Sequence, residues 1–147
     1  MHLVFEERLL PAPTTYLALS LSAPMVALAA LPFGLELALT LGVLVPTLLF
    51  ALASLLAPKI SLTDLELRAG SFSIPREIIG EVRVLDQQAS RFERGPGLNA
   101  NARMLLRGDI ATMIKIEILD PQDPTPYLLI STRRGELLAS ALRANRA

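Results

Sequence analysis

The side chains in this sequence whose type and spacing together could hold an ion or turn over a substrate fall in a few short stretches. Ser131-Thr132-Arg133-Arg134 immediately precedes an amphipathic run that begins near Gly135. Two hydroxyls, two guanidiniums and the free N–H groups of a helix start make a candidate headgroup or anion site. The competing reading is a plain helix N-cap with solvated arginines. Asp120 and Asp123 alternate with Pro121, Pro124 and Pro126. A calcium ion wants about six to eight oxygens, more than two carboxylates supply, so this stretch reads as an Asp/Pro turn between strands. Arg91, Arg94, Arg103 and Arg107 lie in or beside a long polar stretch. They read as a solvated loop, with contacts to headgroups or a partner protein as the alternative.

Little else points to catalysis. His2 is the single histidine and there is no cysteine, which leaves no Ser-His-Asp arrangement, no thiol chemistry and no Cys-type zinc site. Gly95-Pro96-Gly97 lacks the Lys-Ser/Thr and the strand–helix context of a phosphate-binding loop. No metal and no cofactor is called for, and the chain is expected not to be an enzyme.

The elements that must position these residues follow from an uneven composition. The chain has 147 residues, 52% of them hydrophobic, and a mean hydropathy of +0.46. Residues 9–35 and 37–58 carry no charge and are separated only by Glu36. A helix needs roughly 20 apolar residues to cross a hydrocarbon layer of ~30 Å. The pattern predicts a two-helix transmembrane hairpin over 14–58, with helices at about 14–31 and 37–57 and a turn at Pro32, Phe33, Gly34 and Glu36. Pro11 and Pro13 set the start, and Pro24 and Pro46 predict kinks. The first span is not read as a cleaved signal, because Glu6 and Glu7 outweigh Arg8 before it and a second span follows at once.

The turn has no Lys or Arg, whereas Arg8 precedes the first span and Lys59 and Arg68 follow the second. The positive-inside rule then predicts a multi-pass protein of the plasma membrane, with both termini and residues 1–13 cytoplasmic. The spans lack the ionisable groups that proton and ion pathways use, so the hairpin reads as an anchor rather than a transporter. Ala38 and Gly42 form a small-xxx-small pair, a candidate helix–helix contact.

From Lys59 onward there are 13 Lys and Arg against 11 Asp and Glu, a net of +2, with no clustered basic face for nucleic acid. Leu65/Leu67, Phe72/Ile74, Val82/Val84 and Ile114/Ile116/Ile118 alternate with polar residues, the period-2 mark of half-buried strands. Tyr127–Ser131 reads as a further strand, 87–101 as an irregular loop with a short helical piece, and Gly135–Arg143 as a terminal amphipathic helix. Residues 59–147 are therefore expected to form a small bent sheet or barrel closed by a C-terminal helix.

Gly80-Glu81-Val82-Arg83-Val84-Leu85-Asp86 and the stretch from Asp120 through Tyr127 to Arg134 resemble the two signature segments of the DUF3093 family, and Glu7-Arg8-Leu9 resembles that family's opening. The resemblance implies an actinobacterial two-helix membrane protein of unknown function, with no assigned catalytic residues. The chain has no tryptophan, where that family's first helix is Trp-rich. Strand order and final helix are also similar to bacterial pleckstrin-homology-like (PH-like) domains, a likeness of fold alone. The expected function is a membrane-tethered module that binds lipid or protein. Its expected partners are membrane lipids and another membrane protein. The alternative is an accessory or assembly subunit of a larger membrane complex.

Overall fold

The computed structural model describes residues 2–144. The chain divides into two compact units, one of residues up to Leu9 together with those from Pro58 onward, the other Leu10–Ala57.

The apolar unit holds α1 (Pro13–Ser20), α2 (Ser22–Ala30), a 3-10 turn at Leu31–Phe33 and α3 (Leu35–Leu55). Pro24 accounts for the break between α1 and α2. It has no N–H for the Ser20 carbonyl, and its ring crowds that carbonyl. The hydroxyls of Ser20 and Ser22 turn back onto the Leu17 and Leu19 carbonyls at 2.6 Å each. Pro46 lies inside a continuous α3. Gly34 caps the start of α3 at φ 123°, a conformation open to glycine and costly for other residues. Pro13–Phe33 and Leu35–Leu55 are each 21 residues, enough to cross a bilayer, and only 6% and 17% of their apolar windows are buried. A core helix of a soluble protein would be mostly covered. Here Leu17, Met25, Leu28 and Val43 are more than 60% exposed.

The second unit contains two four-stranded sheets. The first has strand order β1 (Leu3–Arg8), β2 (Lys59–Thr63), β3 (Glu66–Ala69), β4 (Phe72–Pro75), all antiparallel. The second has order β5 (Ile79–Leu85), β7 (Met113–Ile118), β8 (Tyr127–Ser131), β6 (Arg103–Leu105), with β6 parallel to β8. The chain between β5 and β6 forms α4 (Gln87–Arg94), and α5 (Gly135–Ala144) follows β8. One core joins Phe5, Leu9, Ile60, Leu62 and Leu67 to Ile114, Ile116, Leu128, Ile130, Leu138 and Leu142. Full burial of each such aliphatic side chain contributes about 1.5–3 kcal/mol. Leu85, Met113, Tyr127 and Leu129 form a second cluster with Ala89 and Ala102. All five residues of β8 are buried, as expected of a strand covered on both faces.

One expectation changes. Residues 1–13 are not a separate segment, because Leu3–Arg8 pair with β2 from Leu3↔Thr63 to Arg8↔Lys59. The inward positions are Phe5, Glu7 and Leu9; a glutamate in the middle of them hides the apolar alternation. The short helical piece expected within 87–101 is α4. Asp86 caps α4 by accepting from the Ala89 N–H at 2.8 Å, and β6 completes the second sheet. The terminal helix buries Leu138, Ala139 and Leu142, while Leu137 is exposed. The C-terminal residues 145–147 lie outside the described residues.

Candidate functional site

At the start of α5, read from sequence as either a candidate anion site or a plain helix N-cap, the chain supplies a carboxylate of its own. Glu7 on β1 is 7% exposed. Its Oε1 accepts from the Arg133 N–H at 3.0 Å, and its Oε2 accepts from the Thr132 hydroxyl. Thr132 is fully buried. Its oxygen in turn accepts from the Arg134 N–H at 3.0 Å, and its own N–H donates to the Thr112 carbonyl at 3.2 Å. Ser131, also fully buried, accepts from the Arg107 N–H at 2.9 Å. Thus Ser131, Thr132 and the amides of Arg133 and Arg134 are committed within the chain. A carboxylate at a helix start is favoured both by the N–H donors and by the helix dipole. That satisfies the site without an external ligand. The side chains of Arg133 and Arg134 remain at the surface, where they line a shallow concavity with Glu6, Glu7 and Arg8. Arg133 also lies 3.6 Å from Asp109.

A second cluster, not foreseen from sequence, crosses the β5–β7–β8 sheet. Glu81, Arg83, Lys115, Glu117, Pro126 and Tyr127 line one cleft. Arg83 grips Glu81 in a two-pronged pair at 2.7 and 2.9 Å, and this hydrogen bonding holds the Glu81 carboxyl below its ordinary value. Lys115 Nζ reaches Glu93 on α4 at 2.9 and 3.0 Å and sits 4.2 Å from the Tyr127 ring centroid. The Tyr127 hydroxyl accepts from the Asn99 N–H at 2.8 Å. Register slips between Ile79 and Val82, and the Glu117 carboxylate takes up the Glu81 N–H at 3.0 Å. A Cβ at Gly80 would stand 2.6 Å from that carboxylate oxygen and 2.9 Å from Glu117 Cβ. The glycine is therefore what lets Glu117 lie across the bulge. Gly80-Glu81 opens the first signature stretch, which was the available signal. Periodicity marks Glu81, Arg83, Lys115 and Glu117 only as outward-facing.

The remaining candidates serve local geometry. Asp120 and Asp123 accept from the N–H groups of Gln122 and Thr125 at 2.9 Å each, the Asx-turn use of Asp. The Thr125 bonds lower the Asp123 carboxyl, and Arg103 at 3.2 Å adds to this. Arg107 pairs with Asp109 at 3.1 Å, Arg94 donates to the Ser90 carbonyl at 3.3 Å, and Arg91 lines a polar hollow with Asp86, Gln87 and Gln88.

Gly42 packs against α2 of the same chain, and Ala38 is buried one turn before it on α3. Ala38, Gly42 and Pro46 are the buried residues of α3. A Cβ built on Gly42 would lie 3.0 Å from Ala27 Cβ and 3.3 Å from the Ala23 carbonyl oxygen. At Gly42 the missing side chain lets α2 and α3 approach closely. The same bundle is tied by a Tyr16–Ser54 hydroxyl pair at 2.7 Å and an edge-on Tyr16–Phe50 ring contact at 5.6 Å.

A family model described as a protein of unknown function, DUF3093, matches residues 4–142. No curated protein matches the chain, and no solved structure does. The matched span begins within β1 and ends within α5, so it covers both halves of the Glu7–Thr132 junction.

Proposed function

The chain belongs to the DUF3093 family of proteins of unknown function, and from that premise we propose that it is a membrane-tethered binding module without catalytic activity. The supporting observation is an insertion. Two apolar helices of spanning length interrupt a folded domain between β1 and β2. A domain whose first strand precedes such a hairpin and whose remainder follows it needs an even number of crossings, because both parts must meet on one side. The charge distribution agrees, with Arg8 and Lys59 flanking the spans and Glu36 in the turn. On this reading the domain and both termini are cytoplasmic. The tether raises the concentration of the domain beside membrane partners.

The fold of the module is PH-like in this reading. A four-stranded sheet, the β5–β7–β8 sheet and a terminal helix support it, with α4 and β6 inserted between β5 and β7. Lipid contact falls to the exposed side chains of Arg133 and Arg134. They line one concavity with Arg8, which stands two residues before the apolar unit. Each well-placed basic residue adds about 1 kcal/mol of attraction to an anionic leaflet.

The absence of native cysteine makes the topology directly testable. In intact cells, Glu36→Cys should react with a membrane-impermeant maleimide. Gln122→Cys should react only after the membrane is opened. Labelling of Gln122→Cys in intact cells, or release of the protein by alkaline carbonate, overturns the reading. In liposomes containing anionic lipid, Arg133→Glu with Arg134→Glu should shorten the lifetime of lipid contacts seen by crosslinking. An unchanged crosslink pattern removes these arginines from the lipid role.

A further inference from the structure

We propose that the cytoplasmic domain closes only when the hairpin has returned the chain to the side of the membrane where it began, so that the folded domain reports correct insertion. The inference rests on the two-pass reading above. Its basis is what lies on each side of the insertion. The part after the hairpin holds seven of the strands and α5, yet its core is left open without the part before it. Phe5 and fully buried Leu9 belong to the same core as Ile60, Leu62, Leu138 and Leu142. β1 pairs with β2 along its length and so covers a row of N–H and C=O groups that would otherwise be an exposed edge. The Leu9 N–H donates to the Pro58 carbonyl at 2.9 Å, which joins the two segments of the domain where the insertion leaves and re-enters it. Glu7 then bonds Thr132 and Arg133, tying the first strand to the connection between β8 and α5 across almost the whole sequence.

These contacts are spread over β2, the β8–α5 connection and α5, so no local stretch after the hairpin can replace them. A chain that crosses only once leaves β1 on the far side. Its domain then keeps an open strand edge, a core without Phe5 and Leu9, and a buried Thr132 hydroxyl without its acceptor. Such a domain lacks cooperative closure and is a ready substrate for proteolysis.

The substitution Ala139→Cys, at a fully buried position on α5, reads closure by its rate of maleimide labelling in opened membranes. Three chains carry it: the full sequence, the full sequence with Glu7→Ala, and a single-span form lacking residues 12–33, which retains β1 but places it across the membrane from the domain. Parallel samples of each carry Glu36→Cys instead, which reports whether the remaining turn faces outward. The full chain should label slowly at position 139, Glu7→Ala faster, and the single-span form at least about tenfold faster than the full chain. If the thiol at position 36 reports outward and the single-span form protects position 139 as well as the full chain does, the inference is overturned while the two-pass reading stands. If position 36 of the full chain is not outward, the two-pass reading itself fails.

Discussion

Replacing Glu7 by alanine tests the junction on which the domain depends. The Thr132 hydroxyl is fully buried and loses its acceptor; the Arg133 N–H is partly buried and loses the other carboxylate oxygen. A buried donor left unmade costs about 1–3 kcal/mol, and a partly solvated one less. Together these give about 2–3 kcal/mol. For a domain of this size each kcal/mol lowers Tm by about 4–8 °C, so the loss should be roughly 10–20 °C. Glu7→Gln should fall between the two, because its amide nitrogen must face one of the two donors. The assay is the thermal loss of β-sheet circular dichroism in mild detergent, repeated with Thr132→Val and with both changes together. The double-mutant cycle should return a coupling of about 1–2 kcal/mol. A Glu7→Ala protein that melts within about 2 °C of the parent, or a coupling near zero, refutes the argument that the carboxylate is a structural cap.

Four further outcomes follow from separate contacts. Gly42→Leu should separate α2 from α3, because even a Cβ there meets Ala27 at 3.0 Å; overpacking costs about 1–3 kcal/mol, read as new protease cleavage within the hairpin, and an unchanged digest refutes it. Gly80→Ala should cost about 1–2 kcal/mol, because it displaces Glu117 from the Glu81 N–H, with an unshifted melting curve as the contrary result. Tyr16→Phe removes the hydroxyl pair with Ser54 and, on the proposed membrane reading, should cost about 0.6 kcal/mol, the average for a hydrogen bond inside a membrane bundle, detectable as a small fall in the detergent melting temperature. Glu81 and Asp123 sit below their ordinary values of 4.5 and 3.8 in the folded domain, so their contribution is present above those values and is lost as pH falls through the lower, folded ones. Acid titration should therefore leave stability flat from neutral pH to about pH 5 and weaken it below; Glu81→Gln and Asp123→Asn should flatten that acid limb.

What composition could decide was decided locally. Two uncharged runs of spanning length are a property of consecutive residues, and so is their termination at Glu36 and Lys59. Ile114, Ile116 and Ile118 announced β7 because a half-buried strand repeats every two residues, and all three are buried. Asp120 and Asp123 were legible as turn residues because an Asx turn involves only neighbours. The features that escaped depend on residues far apart in sequence. β1 was hidden because Glu7 occupies an inward position, which only the donors of Thr132 and Arg133 make tolerable. β6 is a three-residue strand whose identity comes from lying parallel to β8, a pairing that no local period encodes. Ser131–Arg134 were legible as either a helix N-cap or an anion site. Folding decided that the anion is Glu7, because a carboxylate already tethered to the domain fills those donors without the entropy loss of binding a free ligand. Gly42 was legible as a small residue of α3, and the turn at Gly34 decided that it meets Ala27 and Ala23 of the same chain.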